Sequence, residues 1–309
     1  MLSNEELIQL LKAQITTSVG GQASPQDVEK FVDLAVDQTA VLQDLRVEKN
    51  IKSSLKLNSI ELGEPAMVKA TEGTDPASAD VVTPSFGGST LTPVEVLMAY
   101  DVTFSFLEQN IEGNDVNEAL NRIFAKRFGK DTVQLIFNGD TATSPVSTRT
   151  DKLLVILDGF IKQALADSTV NDYTISGTDY LNTIFPGMLK LLPKDYKDQR
   201  SELAYFVSAD VYDAYADQIG SRATALGDMV LVGDYSRALT YKGIQLRPVF
   251  GLGDTDIILT LKRNLVVGYG RDMTIGRDID NRARVVKVTI TAKLDAKYIV
   301  GDAIVLGQP

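Results

Sequence analysis

From Val286 to Val300 every second residue is apolar: Val286, Val288, Ile290, Ala292, Leu294, Ala296, Tyr298 and Val300. Lys287, Thr289, Thr291, Lys293, Asp295 and Lys297 fill the positions between them. Successive side chains of a strand point to opposite faces, so a period of two predicts one strand with one buried and one wet face. Fifteen residues in that register would span roughly 50 Å at about 3.3 Å per residue. Strands usually run about 3–10 residues, so an elongated sheet is expected around this one.

A second alternating stretch answers it. Val94, Val96, Met98, Tyr100, Val102, Phe104 and Phe106 form one face, with Glu95, Asp101, Thr103 and Ser105 opposite. Upstream, Ser54 to Leu62 reads as a strand carrying Leu55 and Leu57, then Ile60 and Leu62. Between the two lies Gly63 to Pro93, rich in Gly, Pro, Ser, Thr and Ala. Loops longer than about 12–15 residues are uncommon inside compact domains. Flanked by strands, this one reads as a long arm leaving the body.

The rest of the chain mixes helices with short strands. Asn4–Thr16 carries Leu7, Ile8, Leu11 and Ile15 on one stripe. Ser24-Pro25 starts a second amphipathic helix through Val28, Phe31, Ala35, Leu42 and Leu45. Asn114-Asp115 opens a helix of about twenty residues that stops at Asn138-Gly139-Asp140. After a turn-rich stretch, a helix is expected over Asp151–Ala166. Another near Tyr180–Leu192 contains Pro186, which should kink or break it. Glu202–Ser208 reads as a buried strand, with Ser208 capping a helix that runs to Gly220. Leu239–Phe250 and Asp256–Leu261 read as further strands.

The chain contains no Cys and no His. Ser-His-Asp triads, Cys-His dyads and His- or Cys-ligated zinc are therefore excluded. A carboxylate-based hydrolase is still compatible with the composition. Gly268-Tyr-Gly-Arg-Asp-Met273 begins like a dinucleotide fingerprint but lacks its third Gly and the following helix. Asp278-Ile-Asp280 could suggest a cation, yet Arg282 stands where a calcium loop needs another oxygen ligand. Both stretches read as turn residues, and no cofactor or metal is expected. No run is long and apolar enough for a membrane helix, and the first residues do not read as a signal peptide.

Net charge is −10, unevenly placed. Residues 1–120 carry 19 acidic and 7 basic side chains, whereas 262–297 carry 9 basic and 4 acidic. Such a chain is a poor general DNA binder, because phosphate neutralisation needs clustered Lys and Arg. The ordinary reading of the asymmetry is chance placement on solvated faces; the sharper one is that the acidic part of one copy meets the basic segment of another.

In this order of elements the chain resembles the major capsid proteins of tailed bacteriophages, which have the Hong Kong 97 fold. The resemblance spans essentially the whole sequence. It is strongest at Val133-Gln-Leu-Ile-Phe-Asn-Gly-Asp140, Ile258-Leu-Thr-Leu-Lys-Arg-Asn-Leu-Val-Val-Gly-Tyr269, Thr274-Ile-Gly-Arg-Asp-Ile279 and Asp302-Ala-Ile-Val-Leu306.

The resemblance implies an α+β Hong Kong 97-like fold. An N-terminal arm would occupy 1–50 and an extended loop 51–97. A peripheral domain would combine 98–150, with its long spine helix, and 263–309, and an axial domain would occupy 151–262. It also implies a non-enzymatic shell subunit whose pentamers and hexamers close into an icosahedral capsid around double-stranded DNA, without sequence-specific binding. The site of action would be the virion, after assembly in the bacterial cytoplasm. Portal, scaffolding and decoration proteins are the implied partners, the scaffold being separate because capsid-like elements begin close to Met1. Lys69 and Glu72 in the loop, and Arg271, Arg282 and Arg284 in the basic segment, are the expected inter-subunit contacts. Lys69 also occupies the loop from which some family members form a Lys–Asn isopeptide link, although a solvated lysine is the ordinary state there. Encapsulin nanocompartments, which share the fold and enclose enzymes, are the alternative role.

Overall fold

The computed structural model describes residues 40–61, 67–69, 72, 81–105, 115–221, 239–270 and 274–309. Of the two expected N-terminal helices, only the last turn of the second, α1 (Ala40–Asp44), falls within them. Then follow β1 (Arg46–Ile51), β2 (Leu55–Glu61), β3 (Ser85–Leu91) and β4 (Val94–Thr103). Helix α2 (Asp115–Asn138) is succeeded by α3 (Arg149–Leu154), α4 (Phe160–Ala166) and β5 (Asn171–Thr174). A π-helical turn (Tyr180–Ile184) leads into α5 (Phe185–Leu191), α6 (Lys194–Lys197), β6 (Leu203–Val207) and α7 (Ala209–Gly220). The remainder is almost all strand: β7 (Thr240–Tyr241), β8 (Ile244–Pro248), β9 (Ile257–Leu261), β10 (Leu265–Gly270), β11 (Thr274–Asp280), β12 (Val285–Tyr298) and β13 (Val305–Gln308).

The long alternating strand organises the first sheet. β12 pairs antiparallel with β4 along one edge, from Val285 opposite Thr103 to Leu294 opposite Val94. Its other edge is shared: β11 pairs with the first half and β10 with the second. β1 extends the sheet by joining β10 in parallel. Val286, Val288, Ile290, Ala292 and Leu294 are buried, as the period of two predicts. They face the side where α2 lies, and there the Tyr100 ring stacks on Phe124 with 3.4 Å between centroids.

Asp295 departs from the alternation. It belongs to the polar face of β12 but is only 6% exposed. The base of the β2–β3 hairpin covers it: Leu57 and Leu91 form a small apolar cluster with Ile51 and Val266. The Thr92 amide donates to the Asp295 carboxylate at 2.6 Å, and Ser89 Oγ donates to the Tyr298 carbonyl at 2.6 Å. Burial pushes the Asp295 carboxyl above its ordinary range, although the Thr92 and Ala296 amides pull it down.

The second sheet has six strands in the order β5-β13-β9-β6-β8-β7. Helices cover both faces, so β6 is buried along all five residues and reads as a continuous apolar run. One face packs on Phe185, Tyr180, Tyr215 and Tyr241; Tyr205 donates its hydroxyl to the Phe185 carbonyl at 3.1 Å. The other face shares one core with the first sheet through Phe137, Phe160, Phe206 and Leu306. β13 lies between β5 and β9, so the C-terminal segment contributes to both sheets. Asn264 ties these parts together. Its Nδ2 donates to Thr260 Oγ1 and the Val300 carbonyl, and its Oδ1 accepts from the Ile299 and Val300 amides.

Several local expectations are corrected. Asp151–Ala166 is two short helices, because the chain must pass close to the end of α2 at Gly159. Gly159 N donates to the Gly139 carbonyl at 2.8 Å. A Cβ on Gly159 would lie 2.7 Å from Gly139 N, and one on Gly139 would lie 2.1 Å from the Leu157 carbonyl. Leu239–Phe250 is a hairpin that turns at Lys242 and Gly243, both with positive φ. The segment Gly63–Pro93 contains a strand, β3, whose small residues pair with β2 through the full length of both. Pro186 does break its helix, standing in the first turn of α5 just after the π-helical turn. Gly268 and Gly270 lie within a strand: side chains there would strike Ile51 and Lys293, which accounts for the glycines without a nucleotide.

Candidate inter-subunit surfaces

The expected contact residues fall on two separate elements. Lys69 and Glu72 are exposed in the segment between β2 and β3. Arg282 and Arg284 are exposed in the turn joining β11 to β12. Arg271 lies outside the described residues.

The β11–β12 turn is internally braced. Asp280 Oδ1 accepts from the Arg282 and Ala283 amides at 3.1 and 3.0 Å, while Lys287 Nζ meets its Oδ2 at 2.8 Å. These partners hold the Asp280 carboxyl below its ordinary range, led by the Lys287 ammonium. The Phe104 amide donates to the Arg284 carbonyl at 3.0 Å, and Arg284 has a positive φ of 54°. The turn therefore presents Arg282 from a fixed backbone. Asp280 spends its oxygens on this bracing rather than on a cation, and the described residues hold no group of three or more Asp or Glu arranged to bind one.

The hairpin presents a different chemistry. At its base Leu57 and Leu91 point into the body; Leu57 is 4% exposed and Leu91 is fully buried. Three residues beyond Leu57, the apolar positions change face. Ile60 sits directly across from Phe86, and they are 67% and 76% exposed. Farther out, Met67, Val68 and Val81 are exposed too. Isolated exposed apolar residues are ordinary, but a cross-strand pair on a projecting ribbon is an adhesive patch. Leu97, 67% exposed on the outer face of β4, adds another apolar point on the sheet. None of these was singled out as a contact from sequence. The readable signal was the phase shift within β2, where Leu55 and Leu57 keep one parity and Ile60 takes the other.

Burial raises three carboxylates, which lie on separate stretches of the chain. Asp295 is occupied by two amides, Asp131 is ion-paired to Arg127 at 2.8 Å, and Asp256 lies at the β9 end of the second sheet. No described helix is long and apolar enough to cross a membrane.

No family model matches the chain. It is 30% identical to "Putative prophage capsid protein YqbE" of Bacillus subtilis (strain 168), an alignment covering 98% of this chain and 97% of that protein. Its fold is similar to that of a chain in the satellite phage P4 procapsid including size determination (Sid) protein. There the TM-score is 0.70 at 13% identity, covering 99% of this chain and 98% of the other. A chain from the capsid of an empty GTA particle gives a TM-score of 0.59 at 12% identity, covering 87% and 89%. A virus-like particle from Pyrococcus furiosus gives 0.54 at 10% identity, covering 92% and 98%. With a full-length relative in sequence and this architecture around one long strand, the chain belongs to the phage major capsid proteins of Hong Kong 97-like fold.

Proposed function

We propose that this protein is a structural, non-enzymatic subunit that assembles with copies of itself into pentamers and hexamers of an icosahedral shell enclosing phage double-stranded DNA. Residues 1–50 act as an N-terminal arm and 51–97 as an extended loop. Residues 98–150 and 263–309 form the peripheral domain, and 151–262 the axial domain, whose sheet borrows β13 from the C-terminal segment. A separate scaffolding protein, a portal and decoration proteins are the proposed partners, and the virion is the proposed location.

The observation that carries this reading is the two-sided hairpin. Its base is anchored in its own body, whereas Ile60 and Phe86 point away from it as an unburied pair. An apolar tip on a ribbon is stable in water only at a cost that burial against another copy removes. Many such modest contacts, repeated around a closed shell, give a stable particle. Lys69, Glu72, Arg271, Arg282 and Arg284 are the proposed charged contacts accompanying it. The encapsulin alternative is weighed down by the full-length likeness to a protein described as a prophage capsid protein.

The test is expression of the chain alone and together with a candidate scaffold, followed by negative-stain electron microscopy and light scattering. Closed shells, or five- and six-membered rings, are expected. A Phe86→Ser, Ile60→Thr variant should keep its circular dichroism and lose assembly. A small species under every condition would sink the proposal.

A further inference from the structure

The sequence contains a single Asn-Gly pair, Asn138-Gly139, and a single Asp-Gly pair, Asp158-Gly159. In a flexible chain such pairs modify themselves readily, because glycine puts no side chain in the way when its amide nitrogen turns on the preceding side-chain carbonyl. The fold sets the two pairs against each other. Gly159 N donates to the Gly139 carbonyl at 2.8 Å, and Gly139 N donates to the Leu135 carbonyl at 2.8 Å. Both attacking nitrogens are thus held as hydrogen-bonded N–H groups of buried glycines. The side chains under attack are tied as well. Asn138 Nδ2 donates to the Gly251 carbonyl, while no donor among the described residues reaches its buried Oδ1, so charge developing there would go unsupported. Asp158 Oδ1 accepts from the Thr141 amide at 2.9 Å and the Thr141 hydroxyl at 2.8 Å. These bonds, the amide first, hold the Asp158 carboxyl below its ordinary range and keep it ionised, a poor target for attack.

We propose that Asn138 is a site of self-modification, closed while the Gly139–Gly159 crossing is packed and open once it parts. The only co-reactant is water. The Gly139 amide nitrogen loses its proton and attacks the side-chain carbonyl carbon of Asn138. A C–N bond forms, the bond to the side-chain amide nitrogen breaks, and ammonia leaves with the proton. The cyclic imide then takes up water and opens either to aspartate or to an isoaspartyl link. Neither product fits the crossing. A carboxylate at position 138 cannot donate to the Gly251 carbonyl, and it brings charge to a buried oxygen that has no donor. An isoaspartyl link adds a carbon to the backbone where even a Cβ on Gly139 would lie 2.1 Å from the Leu157 carbonyl. The change is therefore one-way: a chain that opens here is marked and does not close again, whereas a chain that stays packed escapes. The same rule holds for a lone subunit and for one in a shell.

The experiment uses the full-length protein, held in warm, mildly alkaline buffer either folded or in urea. Conversion is followed by mass spectrometry of the tryptic peptide Asp131–Arg149, in which Asn138 is the only asparagine. Labelling with an isoaspartyl methyltransferase reports the rearranged link. Asn138 should convert at least about a hundredfold more slowly in the folded protein, the rarity of an opening that breaks two buried hydrogen bonds. In urea too dilute to unfold the chain, the rate should climb with denaturant, as reaction through an opened state requires. A Cβ on Gly159 would lie 2.7 Å from Gly139 N, so Gly159→Ala should quicken conversion in the folded protein about tenfold. Where that variant does not fold, the urea series on the wild type decides. Equal rates in the folded and unfolded protein overturn the proposal, as does a rate that stays flat across the urea series. An Asn138 that converts no faster than other asparagines of the unfolded chain overturns it too. Asn138→Asp supplies one product directly and should lower the urea midpoint; a variant as stable as the wild type overturns the one-way mark.

Discussion

Replacing Gly139 by Ala tests the crossing on which both cores depend. The added Cβ would lie 2.1 Å from the Leu157 carbonyl and 2.6 Å from that of Leu135. Both neighbours are backbone, so no side chain can swing away. Opening the crossing to 3.0 Å, the shortest distance real contacts tolerate, requires a shift of about 0.9 Å. That shift breaks two hydrogen bonds of 2.8 Å, Gly159 N to the Gly139 carbonyl and Asp140 N to the Leu154 carbonyl. Overpacking costs about 1–3 kcal/mol and each lost bond about 1, so a destabilisation of about 3–5 kcal/mol is expected. With a denaturation slope near 3 kcal/mol per molar urea, the midpoint should fall by about 1–1.7 M. Unfolding is followed by circular dichroism on the wild type, Gly139→Ala, Gly159→Ala and a control, Gly177→Ala. At Gly177, with φ of 81° and no atom near the added Cβ, only backbone strain of about 1–2 kcal/mol applies. Because both glycines serve one crossing, the double variant should cost less than the two single changes together. The reasoning fails if Gly139→Ala and Gly177→Ala unfold at the same midpoint.

Three further outcomes are expected. Asn264→Ala strands the Val300 amide and carbonyl, whereas the Ile299 amide keeps the main-chain carbonyl of residue 264 at 3.1 Å, and the change should cost about 2 kcal/mol in the same urea assay. Arg247 holds Asp44 through two contacts, Nε to Oδ2 at 2.5 Å and Nη2 to Oδ1 at 3.2 Å. Arg247→Met should cost about 2 kcal/mol and speed hydrogen exchange in Ala40–Asp44, because α1 loses its closer polar tie to the second sheet and keeps Lys262 Nζ at 3.8 Å from Asp44 Oδ1. Asp295 has its folded carboxyl raised, so the folded state binds the proton more readily than the unfolded one. Its contribution is then full below the ordinary carboxylate value and is lost as pH rises through the folded value. Asp295→Asn should flatten the stability-versus-pH curve over that window; an unchanged curve would remove the residue from the account.

The elements that sequence reveals best are those whose period is enforced by a single buried face. β12 and β4 are of that kind, and so is α2, ending at Asn138-Gly139 as its stop signal predicts. The helix over 151–166 misled because its stripe continues through Gly159, whereas the break is imposed by a backbone 20 residues earlier that no local pattern records. β3 was hidden because Gly87, Gly88 and Ser89 have weak strand preference and form a strand only through pairing with β2. Asp295 looked solvated because alternation reports which face a residue takes, not what lies upon that face. The contact surfaces were the least legible. Lys69 and Arg282 were suggested by charge, but Ile60 and Phe86 gain meaning only when burial is known.

Neither sheet can be completed early in synthesis. β1, beginning at residue 46, finds its partner in residues 266–270, and the second sheet has an empty interior slot until residues 305–308 fill it between β5 and β9. A ribosome that has passed residue 250 has made most of the chain, yet only β1 and β4 of the first sheet's five strands, and those two do not pair with each other. The nascent polypeptide must therefore wait, and closure of both cores comes together near the end of translation. Surfaces set by the finished sheets, the braced β11–β12 turn and the seated hairpin, come into being only then. Synthesis order thus works as a timer: chains broken off before this point lack the shape that would let them join, and spoil, a growing particle.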